Sequence, residues 1–404
     1  MATPKIRLKG FEGEWEAKPL EECLAISNDK NSSKVYGKEE VLSVSDDYGV
    51  VNQIKHLGRS YAGEDLTGYK ILKKNQIVYT KSPLRAKPYG IIKTNNGKNG
   101  IVSVLYAVYS AKDGVNPEYI NWYFTPGFRT NNYLLPLINK GAKNTINISD
   151  EVALKGLIGI PKEEEQSAIA SYFQFLDTLI QTTAKKIESL KQMKAASLIS
   201  MFPQEGETTP KVRFKGFEGE WKEVSFKDIT YLSGIKNRDN LPMESYSISN
   251  ELGFIPQNEQ FENGGTMSQA NKTMYYIVSP DSFAYNPARI NVGSIGYYNL
   301  QKDVIVSSLY VVFKTDDETY NPFLYIWFKS PMFNKLITLY QEGGVRLYFF
   351  YDKLCACKFR RPCFEEQQAI ASYFTNLENQ ISLHTQRLEK IKNIKAECLN
   401  KMFV

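Results

Sequence analysis

Residues able to read nucleic-acid bases recur in short polar stretches of this 404-residue chain. Arginine pairs with a guanine edge in bidentate fashion, asparagine does so with adenine, and lysine neutralises phosphate. The run Asn286-Pro287-Ala288-Arg289-Ile290-Asn291-Val292-Gly293 and the stretches holding Lys81, Arg85, Lys87, Lys93, Lys143 and Arg346 therefore carry the chemistry of a DNA reader. Arg85 and Arg289 each stand two places after a proline, while the residues around them differ. A net charge of +6 permits a polyanionic partner without requiring one.

Catalytic chemistry is poorly supplied. A methyltransferase acting on base amino groups is expected to show Asn or Asp followed by Pro-Pro and an aromatic, and Asn286-Pro287-Ala288 departs from that pattern. A phosphate loop needs a glycine, four residues, then Gly-Lys and a hydroxyl, which Gly97-Lys98-Asn99 does not provide. Cys355, Cys357 and Cys363 cluster, but no fourth ligand stands near them, and His56 and His384 lie elsewhere. They read as buried small hydrophobes rather than zinc ligands, and the five cysteines read as reduced thiols. No metal and no cofactor is expected in this chain.

The elements that hold these residues are duplicated. Thr3 to Trp15 returns as Thr209 to Trp221 with two differences, Ile6/Val212 and Leu8/Phe214. Glu165-Gln166, Ala168 to Phe173 and Met201-Phe202 return at a constant shift as Glu366-Gln367, Ala369 to Phe374 and Met402-Phe403. The middles are more distant relatives: Val102-Ser103 and Leu105-Tyr106 match Val306-Ser307 and Leu309-Tyr310, and Asn116-Pro117 with Trp122 is aligned with Asn321-Pro322 and Trp327. The chain is thus two tandem halves of one fold.

Each half ends in a helical run. Ile169, Phe173, Leu176, Ile180, Thr183, Ile187 and Leu190 step by fours and threes, and Ile370, Phe374, Leu377, Ile381, His384, Leu388 and Ile391 repeat the stripe. At about 1.5 Å per residue, ~38 residues reach roughly 57 Å, the length of a spacer. Between these runs, β-rich segments (Gln76–Tyr79, Gly100–Tyr109, Asp303–Phe313) alternate with short helices over Pro117–Phe124, Pro322–Phe328, Phe128–Ile138 and Met332–Tyr340. The expected fold is α+β, two tandem mixed α/β domains with two long antiparallel coiled-coil helices and a pseudo-twofold internal repeat. Its segments are 1–160, a first domain; 161–202, the first helix; 203–210, a linker; 211–361, a second domain; and 362–404, the second helix.

In this combination the chain resembles the specificity subunits of type I restriction-modification systems. The resemblance covers the whole chain. It rests on the Gly-Phe-x-Gly-x-Trp segments ending at Trp15 and Trp221, on the Pro-x-x-x-Glu-Gln-x-x-Ile-Ala entries from Pro161 and Pro362, and on the run Asn286 to Gly293. The first half departs from that last run with Ser82-Pro83-Leu84-Arg85. The resemblance implies two target recognition domains, each reading one half of a split, asymmetric sequence in double-stranded DNA. It also implies two copies of an adenine methyltransferase (the modification subunit) carrying S-adenosylmethionine, with restriction subunits joining the complex. Tyr172, Phe173, Tyr373 and Phe374 at the helix starts read first as core where helix meets domain, and as candidate partner contacts in the second place. With no signal peptide and no apolar run long enough to span a bilayer, the expected location is cytoplasmic, without membrane contact. The alternative from another class is a duplicated coiled-coil adaptor that binds proteins and reads no DNA; a self-contained methyltransferase is a third.

Overall fold

The computed structural model describes residues 3–84, 87–140, 146–260, 271–344 and 347–404. They gather into two compact units that cut across the linear halves. One is Met1–Ala184 with Gln386–Val404, and the other is Lys185–Thr385. Both long helices, Glu163–Ser200 and Phe364–Lys401, are therefore divided between units, each of which contains the start of one and the end of the other.

In the first unit a four-stranded antiparallel sheet runs in the order Leu24–Ile26, Ala107–Ala111, Ile77–Tyr79, Ile92–Thr94. Beside it, Lys70–Leu72 pairs with Gly100–Val102 and Leu42–Ser45 with Gly49–Asn52, the two pairs joined by a parallel bridge from Val41 to Ile101. A ribbon of Glu16–Pro19 against Leu157–Ile160 leads into the long helix. The second unit repeats this plan. Its four-stranded sheet is Thr230–Leu232, Val311–Thr315, Ser282–Tyr285, Ile295–Tyr298, and its ribbon is Lys222–Ser225 against Lys358–Arg361. Its second sheet is continuous, five strands in which Ser245–Ser249 runs parallel to Val304–Val306.

The structure corrects two expectations. The apolar runs Gly100–Tyr109 and Asp303–Phe313 are not single strands. Each breaks at a serine turn, Tyr106 N–H donating to the Ser103 carbonyl and Tyr310 N–H to that of Ser307, so its two ends serve different sheets. The alignment of Asn116-Pro117 with Asn321-Pro322 is also one residue out. Gln166 Oε1 accepts from the Asn116 N–H, whereas Gln367 Oε1 accepts from the Tyr320 N–H. Asn116 caps its helix through its side chain, and Asn321 lies inside the first turn, where Thr315 Oγ1 donates to it.

The repeated ends are explained by an arginine clamp at each helix entry. Arg7 donates from Nε and a terminal nitrogen to both oxygens of Glu165 at 2.8 and 2.7 Å, and Arg213 holds Glu366 at 2.7 Å through the same two atoms. Each guanidinium also donates to backbone carbonyls of the Gly-Phe-Glu-Gly turn, those of Glu12 and Gly13 in one copy and of Glu218 and Gly219 in the other. That turn needs Gly13 and Gly219, which sit at φ +85° and +78°. Gln166 and Gln367 finish the join, each donating to the carbonyl of the proline five residues earlier.

Helix ends close the cores reciprocally. Met402-Phe403 belongs to the first unit's core, where Phe403 stacks on Phe173 at 5.8 Å and meets Tyr119 at 5.4 Å. Met201-Phe202 sits in the second core against Phe323 at 5.6 Å and Phe374 at 6.2 Å. Within each unit the helix segments pair antiparallel, Tyr172 meeting Cys398 and Asp177 meeting Lys395 in one, Tyr373 meeting Ser197 and Glu378 meeting Lys194 in the other. The heptad stripe is the seam of this pairing, buried except at Ile180, Ile381, His384 and Leu388, which are half-buried.

The Glu366 side chain is only 1% exposed, so Arg213→Ala strands a buried carboxylate and should cost about 3–5 kcal/mol in urea unfolding. Arg213→Met together with Glu366→Leu should cost clearly less than the sum of the single changes; additive costs would contradict the clamp.

Candidate nucleic-acid interface

The candidate DNA contacts fall into two unlike environments. In the second unit, strand Ser282–Tyr285 ends in a tight connection that returns as Ile295–Tyr298. Asn286 starts it with an Asx turn, its Oδ1 accepting from the Ala288 N–H at 3.0 Å, and the Arg289 N–H donates to the Asn286 carbonyl. Gly293, at φ +91°, ends the short 3-10 turn Ile290–Val292. Arg289 and Asn291 are exposed. Among the described residues nothing neutralises the Arg289 guanidinium, which makes no ion pair or hydrogen bond.

Arg289 stands at a cavity of about 620 Å³ lined also by Asn286, Pro287, Ser308, Leu309, Tyr348 and Phe350. The Phe349 N–H donates to the Pro287 carbonyl and its ring is buried, which fixes one wall to the other. Tyr348 and Phe350 flank it with parallel rings 5.3 Å apart. Leu309 is 71% and Phe350 45% exposed, so water reaches large apolar surfaces beside a free cation. These residues were not among the sequence candidates. Two signals pointed to them: the leucine of the repeated serine turn, and the alternation in Tyr348-Phe349-Phe350 that turns one ring inward and two outward.

In the first unit the described candidate lysines, Lys81, Lys87 and Lys93, are internally neutralised. Lys87, its side chain 4% exposed, pairs with Asp46 and donates to the Thr125 carbonyl. Lys93 is not in a loop but in strand Ile92–Thr94, buried 3.5 Å from the same Asp46. Burial pushes the Lys93 ammonium below the usual lysine range, and the charge of Lys87 adds to that shift. Lys81 pairs with Asp150, which Lys70 also holds at 2.7 Å. Burial and pairing take Lys87 and Lys93 off the exposed surface, and the half-buried Lys81 has its charge engaged by Asp150. The adjoining cavity of about 630 Å³ has Asp46, Asp47, Glu118 and Asp177 against Lys93 and Lys395 in its lining, a balance unfavourable to a polyanion. Arg85, Lys143 and Arg346 lie outside the described residues.

The connections carrying Arg85 and Arg289 are not copies. The strand registers equate Tyr79 with Tyr285 and Ile92 with Ile295, so residues 80–91 do the work of 286–294 with a longer chain.

The candidate partner contacts at the helix starts are turned inward. Phe173 and Phe374 are fully buried, and Phe173 stacks on Trp122 at 5.2 Å. The Tyr172 hydroxyl meets the Cys398 sulfur at 3.7 Å and the Tyr373 hydroxyl meets Ser197 Oγ at 2.9 Å. The two phenylalanines leave no side-chain surface for a partner because the antiparallel helix segments occupy it.

Residues 218–393 match the family described as the type I restriction modification DNA specificity domain. Those residues carry this family's domain, and the chain as a whole is similar to type I restriction-modification specificity subunits. It is 23% identical over 420 residues to a putative type I restriction enzyme MjaX specificity subunit of Methanocaldococcus jannaschii, covering 98% of this chain and 94% of that one. A crystal structure of a type I restriction-modification S subunit from M. genitalium shares the fold, with a TM-score of 0.54 at 13% identity over 100% of this chain and 99% of the other. No described helix of the chain is long and apolar enough to cross a membrane.

The Lys81–Asp150 pair has a testable pH signature. Burial alone would push the Asp150 carboxyl up, but hydrogen bonds from Lys70 and Lys81 outweigh it and hold the group below the usual aspartate range. A depressed folded value means the stabilisation is complete above the unfolded pKa and is lost as pH falls through the folded one. Lys81→Met should therefore lower stability at neutral pH, and its difference from wild type should shrink below about pH 4 in unfolding titrations.

Proposed function

We propose that this chain is a non-catalytic reader of an asymmetric, bipartite sequence in double-stranded DNA, each unit addressing one half-site. The observation that carries this reading is that one topology occurs twice while the surfaces meant to meet DNA differ, in loop length and in where cationic side chains are left free. Related domains on like scaffolds with unlike loops give related geometry and different base preference.

In the second unit Arg289, Asn286 and Asn291 are the proposed base and backbone contacts. Arg85, Lys143 and Arg346, outside the described residues, belong to the same proposal as further contacts. The chain's own role is to set register and select sequence. Methyl transfer would fall to two modification subunits carrying S-adenosylmethionine, into whose pockets the target adenines are flipped, since an amino group in the stack is out of reach. Restriction subunits would complete the assembly, in the cytoplasm. The names of the relatives, specificity subunits of type I restriction enzymes, support this assignment.

The test is sequencing of methylated adenines in DNA from cells expressing this chain with its methyltransferase, against the methyltransferase alone. A split motif that requires this chain is the expected result; an active, assembled complex that methylates without a motif would refute it. Arg289→Ala should relax one half-site only, by about 1–3 kcal/mol at a guanine position, and uniform weakening on every sequence would make Arg289 a phosphate contact instead.

A further inference from the structure

We propose that the second unit reads a thymine next to a guanine, the thymine through its 5-methyl group. The inference rests on the DNA-reading proposal above and deepens it to the identity of two bases. Its basis is the cavity of about 620 Å³ where Arg289 stands beside Leu309 and Phe350.

The chemistry of the lining selects among bases. A free guanidinium on a loop held by backbone hydrogen bonds matches the two acceptors of a guanine major-groove edge, the pairing of highest bidentate complementarity for arginine. Beside it the walls are Pro287, Ala288, Leu309 and the flat ring faces of Tyr348 and Phe350, with Ser308, Asn286 and the Tyr348 hydroxyl as the remaining polar groups. Asn286 has already committed its side-chain oxygen to the Ala288 N–H. The Leu309 and Phe350 part of that wall gives nothing to the amino groups of adenine or cytosine, and a donor set against it is left desolvated. The one apolar group a base shows in the major groove is the thymine methyl. Leucine and phenylalanine left in water at 71% and 45% exposure gain by covering it.

The site is also built to hold its shape. The Phe349–Pro287 backbone bond joins the aromatic wall to the arginine loop, the Glu342–Tyr348 bridge supports the first from outside, and the serine turn at Ser307 presents Leu309. Recognition by a preformed surface avoids the entropy of ordering a loop on DNA.

The experiment uses the full chain assembled with its methyltransferase. First, the half-site that loses definition in Arg289→Ala is assigned to the second unit. Duplexes carrying deoxyuridine for each thymine of the motif in turn are then compared with the parent for binding. One thymine neighbouring the guanine should show about fourfold weaker binding on loss of its methyl, the value of one buried methyl group. Thymines of the other half-site should be indifferent. In Leu309→Ser, which alters an exposed side chain and leaves the core intact, the difference between thymine and deoxyuridine should disappear while the other half-site is read as before.

A motif whose Arg289-dependent half has no thymine beside a guanine on either strand, or in which deoxyuridine is tolerated everywhere, overturns this proposal and leaves bipartite recognition standing. Undiminished discrimination in Leu309→Ser overturns it as well. Methylation without any motif overturns both readings together.

Discussion

A buried glutamate at the head of each long helix has to find a positive partner, and the arginine that supplies it comes from the segment that begins each half. Arg7 reaching Glu165 and Arg213 reaching Glu366 each satisfy both carboxylate oxygens and in addition organise a glycine turn. Much else depends on this join. It brings Trp15 and Trp221 into the cores and aligns the ribbons that lead into the helices. The glutamine that follows spans from a proline carbonyl to the cap of a short helix, so one dipeptide ties three elements together.

The same physics accounts for the near identity of the repeated ends. The cores are completed by the Met-Phe pair that closes the other half's helix, so each half must present both a socket and a plug of matching shape. Large aromatic groups in such a socket tolerate little change in volume. The antiparallel pairs repeat with small variations, Cys398 standing opposite Tyr172 where Ser197 stands opposite Tyr373. Internal packing is thus enough to demand these residues twice.

Away from the ends the units diverge in how they treat charge. The first buries lysines against Asp46 and Asp150, using cations to hold its own loops and strands. The second leaves Arg289, among the described residues, without an ionic partner at the edge of a largely apolar cavity. A buried ion pair gives geometry and little binding capacity, whereas an unpaired guanidinium on an ordered turn is ready for a partner. Two units of one topology have in this way reached different chemical states.

Read alone, the sequence determined the duplication, the α+β class, the two heptad helices and the short helices Pro117–Phe124 and Pro331–Tyr340 to within a residue or two. These depend on periodicity and on local caps, which are written in residues close along the chain. It also singled out Arg289, because a polar run after a strand is a local feature. Only the tertiary structure decided which cations are free. Lys87 and Arg289 look alike as sequence, and the difference is an aspartate 41 positions away that reaches one of them. The split of each apolar run between two sheets was hidden for the same reason, since strand partners are chosen across long separations. So was the aromatic wall, whose neighbours Arg289 and Leu309 come from separate loops that the sheets bring together.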